Sequence, residues 1–306
     1  GTPLFIYSKA AMLQALAAYQ RGFAGRDAQI CYAMKANSSL AILQTFVRAG
    51  CGLDIVSGGE LDRALAAGCE PRKIIFSGVG KTRAEMRRAL DAGIGCFNVE
   101  SRAELEVLDE VARSMGQRAP VSVRVNPDVD AKTHPYISTG LKGNKFGVAH
   151  ERALATYQRA ASLPGLQVTG IDCHIGSQIT TDGPYLDAVD RMLDFVEAVE
   201  AAGVPIHHLD FGGGLGIVVD AFRLGEQYRQ LQPQVAAVVG FQPHVLPQQP
   251  TQQVTAVEQR RVPLVMVVDD SVTMRKVTGR VLERHNFEVS AARDGVEALE
   301  KLEERV

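Results

Sequence analysis

Short apolar runs alternate with amphipathic segments through the first two thirds of the chain, and that alternation leaves few folds open. The predicted strands end at Lys35, at Ser57 (52–57), Ser77 (73–77), Glu100 (96–100), Asn126 (121–126), His174 (168–174) and Gly212 (207–212). Helical periodicity fills the gaps, over 60–67, 83–92, 103–115 and 185–202. The early spacing is roughly 20–25 residues, the length of one βα unit of a parallel sheet. Near-continuous apolar strands suit a sheet covered on both faces. Seven such units favour a (β/α)8-type barrel over an open sheet, with an eighth strand still owed. The long gap from 127 to 167 holds a Gly-, Lys- and Thr-rich loop, 132–148. A loop of that length in a compact barrel is expected to be functional.

Composition removes several classes of function. The 306 residues are 46% hydrophobic and 22% charged with a formal net charge of -2, which gives no bulk electrostatic basis for holding nucleic acid or an anionic membrane. No apolar run reaches a membrane span and no signal peptide is visible, so a cytoplasmic protein is expected. The first residue is glycine, which reads as a trimmed N-terminus. Cys31, Cys51, Cys69, Cys96 and Cys173 stand singly without CxxC spacing, as reduced cysteines do.

In a barrel the C-terminal strand tips converge on one face. Lys35 follows five apolar residues among the six from Gln29 to Met34, as the tip of a buried strand. Its stem then packs in an apolar wall and its amine enters a pocket, where desolvation lowers a lysine pKa and favours carbonyl chemistry. A snorkelling lysine at a strand end is the plainer reading. The other tips bring Asp54 with Ser57-Gly58-Gly59, Arg124 with Asn126, His174 with Ser177, and Asp210, the last leading into Gly212-Gly213-Gly214-Leu215-Gly216. A glycine run lets backbone N–H groups cradle a phosphate, although a tight strand-to-helix turn would also explain it. His174 offers a flat ring to an aromatic cofactor or is a satisfied core histidine. Arg124 belongs to the pocket or is a structural ion-pair partner of Asp54.

Six segments taken together are more specific. Met34-Lys35-Ala36-Asn37, Asp54-Ile55-Val56-Ser57-Gly58-Gly59-Glu60-Leu61, Thr133-His134-Pro135-Tyr136-Ile137-Ser138-Thr139-Gly140, Lys145-Phe146-Gly147, His174-Ile175-Gly176-Ser177-Gln178 and the Gly212–Gly216 run resemble diaminopimelate decarboxylase. That family consists of fold-type III, pyridoxal-phosphate-dependent enzymes on an alanine racemase-like barrel, which convert meso-2,6-diaminopimelate to L-lysine. The resemblance covers about residues 1–217. It implies pyridoxal 5'-phosphate as cofactor, Lys35 as the catalytic lysine that bonds it, and His174 stacked on its ring. It also implies that Ser177 holds the phosphate with the Gly212, Gly213 and Gly214 turn, that Asp54 and Arg124 line the wall, and that a small amino acid is the substrate.

Beyond Ile217 the sequence departs from the family. There is no Glu-Pro-Gly-Arg segment, whose glutamate would pair with the ring nitrogen, no cysteine, and no β-rich domain. The resemblance therefore implies an impaired enzyme, and the family's homodimer interface, which involves that domain, does not carry over. Ten glutamines and four prolines in 218–262 read as a linker, with 235–241 open as a short packed element of no assigned type. Order returns at 263–306, with strands at 263–268 and 287–292 and helices at 272–285 and from 296. Val267-Val268-Asp269-Asp270-Ser271 with Ala292-Arg293-Asp294-Gly295-Val296-Glu297-Ala298-Leu299 resembles the start of a response-regulator receiver domain. That implies a partial, flavodoxin-like βαβα segment without its phosphoacceptor, and magnesium at Asp269 and Asp270. Two other functions stay open: a phosphorelay signalling chain, or a pyridoxal-phosphate-binding fusion without catalysis.

Overall fold

The computed structural model describes residues 7–130, 146–216, 236–241, 264–268 and 288–292. The chain divides into two compact units, Ser8–Pro247 and a second made of Gly1–Tyr7 with Gln248–Val306. The predicted 132–148 loop falls outside the described residues up to 145, as do Asp269, Asp270 and both helices expected after 271.

The larger unit is a ring of parallel strands. These are β1 (Ala28–Ala33), β2 (Gly52–Ile55), β3 (Ile74–Phe76), β4 (Cys96–Val99), β5 (Ala119–Asn126), a short β6 (Val148–Ala149), β7 (Leu166–Asp172), β8 (His208–Asp210) and β9 (Ala236–Phe241). The pairing runs β4-β3-β2-β1-β9-β8-β7-β5, and β4 also pairs with β5. Eight strands thus close on themselves, while β6 extends the C-terminal end of β5. Seven described helices lie between strands or before β1: α1 (Lys9–Gly22), α2 (Leu40–Arg48), α3 (Gly58–Ala66), α4 (Arg83–Ala92), α5 (Arg102–Ser114), α6 (His150–Ser162) and α7 (Gly183–Ala201).

The owed eighth strand is β9, which lies inside the stretch expected to be a linker. It pairs with β1 from Ala28↔Ala237 to Tyr32↔Phe241 and with β8 from His208↔Ala236 to Asp210↔Val238. The apolar run Ala236-Ala237-Val238-Val239 is short and set among glutamines, so composition over the whole window concealed it. The two strands of the receiver-like segment are not needed to complete the ring.

Local sequence explains the compact βα joints. Ser57, Thr82 and Ser101 cap α3, α4 and α5 through their side-chain oxygens, and Thr82 with Glu85 forms a full capping box. Helices therefore begin within a few residues of the strand ends and hold the tips in place. β3 and β4 are buried throughout, as strands covered on both faces must be. Inside the ring, Cys31, Ile75 and Cys96 form their own small apolar cluster. All five cysteines are buried and free. No helix among the described residues is long and apolar enough to cross a membrane.

In the second unit, β10 (Leu264–Val268) and β11 (Glu288–Ala292) pair in parallel, from Leu264↔Glu288 to Val268↔Ala292.

Candidate active site

A cavity of about 560 Å³ opens among the C-terminal strand tips. Of the strand-tip residues read from sequence, its lining includes Lys35, Asp54, Arg124, His174, Ser177, Asp210, Gly212, Gly213 and Gly214, but not Ser57, Gly58, Gly59 or Asn126. Most strands stop one or two residues earlier than expected. Lys35 consequently lies in the 3-10 turn Met34–Ala36 beyond β1, and His174 and Gly212 lie on the loops after β7 and β8. Lys35 is exposed rather than sunk in an apolar wall, which corrects the buried-stem expectation. The strand before it carries the burial, and Lys35 lines the cavity from the turn.

Backbone forms one wall. Gly212 and Gly214 have φ of +63° and +94°, a region that favours glycine. A Cβ on Gly212 would meet His174 Nδ1, and one on Gly214 would collide with the carbonyl oxygen of Gly176. The glycines are therefore required by close approach of two loops, not only by a turn. Gly213 N–H donates to His174 Nδ1 at 3.3 Å, which makes Nδ1 an acceptor and leaves the ring proton on Nε2. Burial, with Arg124 and Lys35 nearby, pulls the His174 pKa down to about 3, so the ring is neutral near pH 7. Ser177 is half-buried beside this turn.

Charged side chains form the other wall. Strand register explains them: Arg124 of β5 faces Asp172 of β7, and Asp172 faces Asp210 of β8. Arg124 Nη1 bonds Glu100 Oε1 at 2.7 Å, and Glu100 Oε2 accepts the Gly147 N–H at 2.9 Å. Asp54 instead accepts from Ser77 Oγ at 2.6 Å, so Arg124 both lines the cavity and is an ion-pair partner, of Glu100 and not of Asp54. The Arg124 guanidinium also lies 5.4 Å from the Phe146 ring centroid. Burial disfavours its charge, but Asp172 and Glu100 outweigh that and raise its pKa.

For the carboxylates burial wins. Burial, aided by Asp210, pushes Asp54 up to about 7 against the Ser77 hydrogen bond and Lys35. Asp172 and Asp210 are both raised, first by burial; Asp210 adds to the Asp172 shift. Asp210 is held by the Gly212 N–H at 2.8 Å and the Asn98 amide at 2.9 Å. Asn98 also accepts from Ser122 Oγ at 2.7 Å and donates to Ser77 at 3.4 Å. A continuous polar net thus joins Asp54 to Asp210.

Glu100, Asn98 and Asp172 were not singled out from sequence. Glu100 closes a predicted strand, and Asp172 stands two residues before His174, so each carried a weak positional signal. Their partners lie on other strands. Among the described residues no group of three or more His, Cys, Asp or Glu is arranged to hold a metal.

The donors present fit a phosphorylated aromatic aldehyde: a glycine turn that a Cβ would fill, a serine hydroxyl beside it, a neutral flat ring, and a lysine amine. Comparison with known proteins agrees. The profile of the pyridoxal-dependent decarboxylase pyridoxal-binding domain matches residues 9–247. A diaminopimelate decarboxylase of Vibrio cholerae is 56% identical over 218 residues, 71% of this chain and 52% of that protein. One from Pseudomonas aeruginosa is 55% identical over 236 residues, 77% of this chain and 55% of that protein. The crystal structure of Helicobacter pylori diaminopimelate decarboxylase complexed with L-lysine superposes with a TM-score of 0.74 at 38% identity, covering 78% of this chain and 64% of that one. The chain thus spans about half the length of these curated relatives. With a matched segment that runs through β9 and a cavity of this chemistry, the chain belongs to the pyridoxal-dependent decarboxylase family, in its pyridoxal-binding domain.

Proposed function

We propose that this chain supplies the pyridoxal 5'-phosphate-binding barrel of a diaminopimelate decarboxylase, which removes carbon dioxide from meso-2,6-diaminopimelate to leave L-lysine. The observation that carries this reading is the convergence on one cavity of Lys35, Asp54, Arg124, His174, Ser177 and the Gly212–Gly214 turn, in a chain 55% identical to such an enzyme over 236 residues. Lys35 is the residue to which the cofactor attaches. Ser177 and the Gly212–Gly214 turn hold its phosphate, and the neutral His174 ring lies against its face. Asp54 and Arg124 form the wall opposite. The cofactor, when bound, supplies the electron sink for the carbon that loses carbon dioxide.

The protein's part is electrostatic and steric. His174 stays uncharged, so its ring brings no cation against the cofactor, and its Nδ1 anchors Gly213. Arg124, held by Glu100 and flanked by Asp172, keeps its cation while the raised carboxyls nearby retain protons more readily than free ones. Apolar Cys31 and Ile75 form part of the lining.

Borohydride treatment of the chain with pyridoxal phosphate, followed by peptide mapping, tests the attachment. Label on Lys35 is expected; label on another lysine, or none on folded protein, would refute it. Release of carbon dioxide from meso-2,6-diaminopimelate tests the reaction and separates a decarboxylase from a cofactor binder without turnover.

A second reading applies to 263–306 alone. The parallel pairing of β10 with β11 is what a βαβ start requires, and it supports a receiver-like segment in which Asp269 and Asp270 follow β10 in sequence. Magnesium titration followed by NMR should shift resonances near β10 in the native chain and not in the D269A/D270A variant. Identical spectra for the two would remove the reading.

A further inference from the structure

Val79-Gly80-Lys81 lies in the loop after β3, and Lys81 has no part in the roles assigned above. Its side chain is 0% exposed. The ammonium sits 5.6 Å from the Phe76 ring centroid and makes three bonds: Gly78 O at 2.7 Å, Asn98 O at 2.7 Å and Glu104 Oε1 at 2.8 Å. An ammonium has three N–H donors, so all are used inside the protein. Burying a lysine forfeits its hydration, and only near-ideal partners offset that loss.

A lysine kept merely to neutralise Glu104 would need one of those bonds. Two go to backbone carbonyls of residues that line the cavity, Gly78 and Asn98. The third passes through Glu104, whose Oε2 accepts the Glu100 N–H at 2.9 Å. Lys81 therefore ties the loop after β3 to two backbone positions at the end of β4. From those positions spring the Asn98 amide, which bonds Asp210, and the Glu100 carboxylate, which bonds Arg124.

We propose that Lys81 is a positioning residue of the cavity, which sets Asn98 and Glu100, and through them Asp210 and Arg124, in the arrangement that receives the cofactor. The inference rests on the pyridoxal reading of the site. Lys81 itself does not line the cavity.

The test uses the full chain, titrated with pyridoxal 5'-phosphate and read by visible absorption and visible circular dichroism. K81M removes the ammonium and keeps most of the stem. K81M/E104Q removes both charges, so that folding does not hinge on an uncompensated buried carboxylate. In whichever variant folds, as shown by its far-ultraviolet spectrum and melt, affinity should fall at least about tenfold. The visible circular-dichroism band at saturating cofactor should also shrink, which lower stability alone would not cause. The K81M and N98A effects on affinity should combine non-additively, as residues acting through one another do. A folded variant with native affinity and an unchanged band would overturn the proposal. Failure of both variants to fold would make Lys81 purely structural and overturn it too. If the unmodified chain does not bind the cofactor, the pyridoxal reading fails first, and that outcome is distinct because it precedes any substitution.

Discussion

The two walls of the cavity are built on opposite plans. On one, Gly212–Gly214 and His174 present backbone and a neutral ring, and their shape comes from two loops pressed together. On the other, Asp54, Ser77, Asn98, Glu100, Arg124 and Asp210 satisfy one another through side-chain bonds. The first wall tolerates no added atoms; the second tolerates no missing partner.

Removing a partner should therefore do the greatest damage on the charged wall. R124M leaves Glu100 and Asp172 without their cation, and loss of one member of a buried pair costs about 3–5 kcal/mol. Urea unfolding measures it. A loss below about 1 kcal/mol would mean that Glu100 finds another partner and that the wall is not self-dependent.

Adding atoms should hurt the backbone wall next. G214A places a Cβ against the Gly176 carbonyl at a φ of +94°. Strain of this kind costs on the order of 1–3 kcal/mol, and overpacking adds to it. Stability and cofactor affinity should fall together. Native affinity in the variant would show that the two loops separate freely, contrary to the close packing seen here.

The walls should also titrate in opposite senses. Asp54 is raised from its ordinary 3.8 to about 7, so the folded state holds a proton the unfolded state has released. Its contribution is present below about pH 4 and is lost as pH rises through 7. His174 is lowered from 6.5 to about 3, so its folded state favours the neutral ring. That contribution is present above pH 6.5 and is lost as pH falls toward 3. Denaturation midpoints from pH 4 to pH 7 should thus gain with pH more steeply in D54N than in the native chain. In H174F they should gain less steeply or decline. Parallel profiles for all three proteins would erase the distinction between the walls.

The smallest effect lies outside both walls. Arg159 makes two bonds of 2.7 Å to Glu106, with both side chains more than a third exposed. Removing that pair with R159A should cost less stability than any change above, and less still at high salt. A larger loss would mean that the helix surface, not the cavity, carries the sensitive electrostatics.

Much of this was legible in the residue order. The alternation of apolar runs with amphipathic helices marked seven strands, because each strand is buried on both faces and each helix on one. The glycine turn and the Met34-Lys35-Ala36-Asn37 segment were recognisable because backbone geometry limits what can stand there. The eighth strand was legible only as a short apolar element, without its type or its place in the ring. Ala236–Phe241 is a strand because β1 and β8 leave a gap of one strand's width, and its flanking glutamines say nothing of that.

Local order thus determined the βα units, their caps and the glycine cradle, all of which depend on neighbours within a few residues. Only the tertiary structure decided that Arg124 pairs with Glu100 rather than Asp54, that Asn98 reaches Asp210, and that Lys81 spends its three donors on Gly78, Asn98 and Glu104. Asn98 and Asp210 stand 112 residues apart in sequence. Hydrogen bonds are satisfied by whatever partner ring closure brings within about 3 Å, and that closure is a property of the whole ring.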